Sequence, residues 1–247
     1  MLKYHNLISF GFGLLFLLVL QKFATPEPIF RFLVPAFLLF VVAVTFYNNW
    51  YLRKIGKYNF WVLLRAILLL LSGFGLFLII PSESIRGLFL ILTVFIITFL
   101  QMLLGNQAEN ILLNETLLIA FGLIFAFFGA YHYFPTNEPL FLAGIFFCSF
   151  LLSRSFYEFI PKPAQTKLVG ALILGFFCSQ LFWTLNFLPF HFSVLSALLF
   201  NIFYFCLILN YYHLFHILNF KKIQFHLLLI LACDAAILLA TPWRIVA

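Results

Sequence analysis

Hydrophobic runs of about twenty residues follow one another along almost the whole chain, each closed by a short polar or proline-containing break. A helix needs about 20 apolar residues to cross the hydrocarbon core of a bilayer, and the core offers no water to an unpaired backbone group. Such runs must therefore close their own hydrogen bonds as helices. Their spacing predicts nine membrane helices at about 6–23, 29–47, 58–80, 85–104, 111–134, 139–157, 168–188, 191–217 and 224–243. The breaks carry the residues that end helices, among them Thr25-Pro26-Glu27-Pro28, Asn48 to Lys57, Pro135 to Pro139, Pro161 to Lys167 and Lys221-Lys222. Ser82 reads as an N-cap for the fourth helix, with Glu83 at the positive end of its dipole.

The expected fold is an all-α, polytopic integral membrane bundle with short loops, forming one transmembrane domain over 1–247 and no soluble domain. Composition agrees, with 65% of residues hydrophobic and 9% charged, against about 25% charged in soluble domains. The net charge of +7 does not point to nucleic acid here. Lys and Arg fall in the breaks, where they set orientation and meet lipid headgroups. Lys3, Arg53, Lys54, Lys57, Arg154, Lys162, Lys167, Lys221 and Lys222 collect on the side of the N-terminus, and only Lys22, Arg31, Arg86 and Arg244 on the other. The positive-inside rule then places the N-terminus in the cytoplasm and the C-terminus outside. Leu7 to Leu20 lacks a following small-residue cleavage site and reads as a retained first helix. A plasma or inner membrane is expected, since no transit segment precedes it.

Asp234 is the residue that chemistry would need. It stands inside the apolar stretch Leu227–Ala240, where an ionised carboxylate costs about 2.5–3.5 kcal/mol and calls for a partner or water. Arg65, in the third helix, has a similar depth and the opposite charge, which makes a salt bridge to Asp234 the simplest account of both. Glu115, between Asn114 and Thr116, sits near the start of the fifth helix. It reads either as an interfacial carboxylate reaching water or as a cation or proton ligand. The seventh helix carries Ser179, Gln180, Trp183, Thr184 and Asn186, and the eighth Ser193, Ser196, Asn201, Tyr204 and Asn210. Each polar group is either interhelical glue or the lining of a cavity. The candidate cavity is drawn from Arg65, Glu115, Gln180, Asn201 and Asp234.

Other features have plainer readings. Tyr47, Trp50, Tyr51, Tyr58, Trp61, Tyr131, Tyr133, Tyr157, Tyr211, Tyr212 and Trp243 gather at helix ends, as aromatic belts do. Small residues spaced by four, Gly122/Ala126/Ala130, Ala171/Gly175/Ser179 and Ala232/Ala236/Ala240, predict close contacts in the bundle interior. Cys148, Cys178, Cys206 and Cys233 sit in separate apolar segments and read as packing residues. His213 and His216 lie one turn apart but lack further ligands, so no metal or other cofactor is expected. Arg53-Lys54-Ile55 and Lys221-Lys222-Ile223 hint at an internal repeat.

The sequence contains no H-E-x-x-H, G-x-S-x-G or Walker A pattern, and no lysine in mid-membrane. Three functions fit: a carrier or channel-like protein for an ion or small solute, a noncatalytic membrane subunit or assembly factor working with other membrane subunits, and a lipid-processing enzyme. The last lacks any arrangement of nucleophile and base.

Overall fold

The computed structural model describes residues 2–23, 30–79, 83–102, 109–133, 137–214 and 219–241. Ser82, His216, Trp243 and Arg244 lie outside them. Within the described residues nine helices follow one another and no strand occurs: α1 (Leu2–Phe23), α2 (Phe30–Lys54), α3 (Phe60–Ile79), α4 (Glu83–Met102), α5 (Glu109–Tyr133), α6 (Glu138–Tyr157), α7 (Ala164–Leu185), α8 (Phe192–Leu214) and α9 (Phe220–Ala240). All of these except α4 are long and apolar enough, counted over the described residues, to cross a membrane. The protein is an integral membrane helical bundle. Its outward Leu, Ile and Phe side chains, such as Leu39, Ile173, Phe176 and Leu239, need no covering in a lipid solvent as apolar as themselves.

Several helix ends differ from expectation for physical reasons. α2 runs seven residues past the predicted end at 47, to Lys54, because backbone hydrogen bonding continues after hydropathy falls. It stops at Gly56, whose φ of 69° is open to glycine without steric cost. Gly56 N–H donates to Arg53 O at 3.1 Å and Lys57 N–H to Leu52 O at 2.9 Å, which is a Schellman closure. α7 starts four residues early, directly after Pro163, since proline is harmless where no intrahelical N–H is needed. Lys221 lies in the first turn of α9 and Arg53 in the last turn of α2. The two similar tripeptides thus occupy opposite helix ends, which removes the suggested repeat.

The chain divides into two compact units, 1–115 and 116–247, and α5 passes from one to the other. In the first unit, Phe16 stacks on Phe40 and Phe37 on Phe74, at ring separations of 5.5 and 4.1 Å. These pairs join α1 to α2 and α2 to α3. α1 approaches α4 so closely that a Cβ on Gly13 would overlap the Thr98 hydroxyl. α3 supplies the apolar centre through Leu68, Leu69, Leu70 and Phe77.

In the second unit, α6 and α7 make the tightest pair. A Cβ on Gly175 would stand 3.0 Å from the Phe146 carbonyl oxygen and 3.0 Å from Phe150 Cβ, and Ala171 is fully buried beside them. The expected small-residue contact on this helix is therefore present. The loop after α6 is braced by charge. Arg154 Nη1 meets Glu158 Oε2 at 2.6 Å, and Lys167 Nζ lies 3.8 Å from the same oxygen while donating to the Glu158 carbonyl at 3.1 Å. Basic residues that read as orientation signals are here also loop fasteners.

α9 behaves otherwise. Among the described residues of α9, Ile223, His226, Ile230, Asp234, Ile237 and Leu238 turn inward, and Ala232, Ala236 and Ala240 are exposed. The expectation that these alanines pack in the interior is corrected. Asp234 and His226 lie on the inward line, and their polar partners on α8 fix the rotation of α9, leaving the alanines on the far flank.

Tyr157 corrects another expectation. It is fully buried, because α6 carries its last turn into the α6–α7 contact, where the ring faces α7 at Gly170. It does not belong to the aromatic belt. Its hydroxyl finds no hydrogen-bond partner among the described residues, and a buried unsatisfied hydroxyl costs about 1–3 kcal/mol. Tyr157→Phe should therefore raise the thermal midpoint of the detergent-solubilised protein. A lowered midpoint would mean that the hydroxyl is satisfied in the membrane.

Candidate functional site

Two polar centres are built within the apolar helices. The first joins α3 to the start of α5. Arg65 lies five residues past Phe60, and Glu115 six past Glu109, so at 1.5 Å rise each is about 8–9 Å into its helix. Equal depth lets them meet: Arg65 Nη1 stands 3.6 Å from Glu115 Oε2, and both side chains are buried. The contact is ionic rather than a short hydrogen bond. Glu115 is not the water-reaching interfacial carboxylate that its position near a helix start suggests. The ion partner found for Arg65 is Glu115, where the sequence pointed to Asp234.

The second centre joins α8 to α9. Asn201 Nδ2 donates to Asp234 Oδ1 at 2.6 Å. This bond orients the carboxylate, and both residues are half-buried. Two turns earlier on α9, His226 is held between two tyrosines of α8: Tyr204 Oη lies 2.9 Å from Nδ1 and Tyr212 Oη 3.2 Å from Nε2. A neutral imidazole has one donor and one acceptor nitrogen, so one tyrosine hydroxyl donates to the ring and the other accepts from it. Asn201 and Tyr204 are three apart and share a face of α8. Together they make a polar seam along a contact that is otherwise apolar.

The sequence singled out Asn201, Tyr204 and Asp234, placed Tyr212 with the helix-end aromatics, and gave no signal for His226 on its own. The available signal was antiparallel register. Where α8 and α9 pair Asn201 with Asp234, moving outward along α8 to Tyr204 and Tyr212 means moving back along α9 toward His226.

Most of the other polar candidates are exposed or bonded to backbone. Gln180 is exposed on α7, and its carbonyl accepts the Thr184 hydroxyl at 2.8 Å. Ser196 Oγ donates to Phe192 O, Asn186 Nδ2 to Phe182 O and Asn210 Nδ2 to Cys206 O. Ser179 alone of this set ties two helices, donating to Leu142 O of α6 at 3.1 Å. For these residues, backbone satisfaction within or between helices is what the structure provides.

Among the described residues no group of three or more His, Cys, Asp or Glu side chains is placed to hold a metal ion. His213 is exposed. The cysteines are free, Cys178 buried and Cys233 exposed. No protein-family model matches the chain, and neither curated proteins nor solved structures give a significant match.

Proposed function

We propose that this protein is a membrane carrier for an ion or small polar solute, and that the Asn201–Asp234 pair is its ion-handling site. The observation that carries this reading is a carboxylate on a membrane helix, oriented by one short hydrogen bond and half-buried rather than enclosed. A purely structural acid in an apolar helix is best sealed by several donors. A carboxylate that must bind and release a cation or proton needs one fixed orientation and an accessible face. Tyr204, His226 and Tyr212 supply hydroxyl and imidazole groups along the same seam, as a path for a proton or cation would require. The orientation with the basic side, including Arg53, Lys54 and Lys57, in the cytoplasm belongs to this proposal, as does a plasma or inner membrane.

The test is flux in reconstituted vesicles. Asp234→Asn should leave size-exclusion behaviour and helical content unchanged while abolishing transport, and Asn201→Ala should lower the rate by misorienting the carboxylate. Wild-type flux in Asp234→Asn would defeat the assignment of the site, and absence of flux for every ion and solute tried would defeat the carrier reading.

A second reading has its own observation. α9 leaves most of its circumference exposed, including Ala232, Ala236 and Ala240, where another helix could approach closely. A noncatalytic subunit of a membrane complex would use such a face. Native mass spectrometry of the protein extracted from its own membrane separates the two, since that reading requires a stoichiometric partner.

A further inference from the structure

We propose that the pocket between the first turns of α1 and the last turns of α2 is a built site for the headgroup of one anionic phospholipid. The pocket encloses about 180 Å³, several times the space one water needs. Its wall is aromatic, its floor is a buried imidazole and its rim carries a cation.

The floor is His5, which is 2% exposed. Its ring stacks on Tyr51 with centroids 3.7 Å apart and planes 3° from parallel, and Nδ1 lies 3.0 Å from the Tyr47 hydroxyl. Stacking and hydrogen bonding hold these three rings in one arrangement, so the pocket is formed before any ligand arrives. Ile8 continues the wall along α1, in the direction an acyl chain would take. Tyr4, largely exposed, places its phenol at the mouth.

The rim decides the charge of the occupant. Lys54 Nζ sits 4.7 Å from the centre of the Trp50 ring, so the ring face that could bind a cationic headgroup already has a cation on it. What is left to satisfy is the positive charge of Lys54. The Leu52 and Arg53 carbonyls at the end of α2 are already bonded by Lys57 and Gly56 N–H and do not hydrogen-bond the ammonium. A phosphodiester at Lys54, with its glycerol and first methylenes against Tyr51 and Ile8, meets both the charge and the apolar wall. A free phosphate would leave the aromatic wall without an occupant, which favours a lipid.

Arg53 provides an internal control. It carries the same charge one residue away, but its guanidinium lies 4.9 Å from the centre of the Tyr58 ring and donates to Asn49 Oδ1 at 2.8 Å. Arg53 does not line the pocket. General attraction to an anionic surface would weigh both residues alike, whereas a built site weighs only Lys54.

The experiment is native mass spectrometry of the full chain in mild detergent, titrated with phosphatidylglycerol or phosphatidylcholine. Wild-type protein should retain one phosphatidylglycerol at activation energies that strip further lipids, and should show no such retained phosphatidylcholine. Lys54→Gln, at an exposed position, should lower occupancy of the retained lipid about fivefold. Trp50→Leu should also weaken it, and Arg53→Gln should leave it in place. Equal retention of phosphatidylcholine, equal loss in Lys54→Gln and Arg53→Gln, or lipid adducts with no distinct first site would each overturn the proposal.

Discussion

Glu115→Gln is expected to destabilise the protein by about 3–5 kcal/mol, the cost typical of removing one partner of a buried ion pair. Arg65 and Glu115 are both buried, 3.6 Å apart, each about a turn and a half into its helix. Neutralising the carboxylate removes the counter-charge that the buried guanidinium meets at 3.6 Å. The companion variant Arg65→Met in the same chain should recover most of the loss, because a neutral pair of similar volume needs no ionic compensation. Unfolding of the detergent-solubilised single and double variants forms a cycle that reads the coupling directly. Additive losses, or a neutral Glu115→Gln, would mean that the pair does not carry its own charges through the membrane.

The second large effect is expected at Gly175. Leucine there has to place its Cβ 3.0 Å from a backbone carbonyl and from Phe150 Cβ, and neither can move without separating α6 from α7. Overpacking of this kind costs about 1–3 kcal/mol, and more where backbone is the obstacle. The Ser179 bond to Leu142 O on the same interface should be lost with it. Gly11→Leu is the matched control: nothing lies within 4 Å of the Cβ built at Gly11, so the same change should be nearly neutral. Comparable losses of folded protein at both positions would show that the α6–α7 approach is not the cause.

How legible each centre was depended on how far apart its parts lie in sequence. Asp234 announced itself, because one carboxylate among Leu, Ile and Ala has a cost that any fold must meet. Its partner did not. Asn201 was one of several amides and hydroxyls on two helices, and only the register of α8 against α9 picks it from Gln180, Asn186 and Asn210, which end up exposed or bonded to backbone. Arg65 presented the reverse problem. Depth and opposite charge pointed from Arg65 to Asp234, while Glu115 read as an interfacial carboxylate or a cation or proton ligand. Yet Glu115 lies six residues into α5, close to the five of Arg65 in α3, and Asp234 fourteen into α9. Which helix lies next to α3 is a matter of packing, and packing chose Glu115.

The sequence by itself determined that this chain is a membrane bundle, about where its helices run and which groups inside them would be costly. Those properties follow from local transfer free energies and from the length of helix a bilayer needs. Only the tertiary structure decided which costly groups meet, that Tyr157 is buried and α9 mostly exposed, and that His5, Tyr51 and Lys54 surround one pocket. Between apolar helices in lipid no hydrophobic gradient selects the contact face. That choice falls to close fit at small residues and to a few hydrogen bonds, whose partners lie tens of residues apart and are therefore invisible to any local pattern.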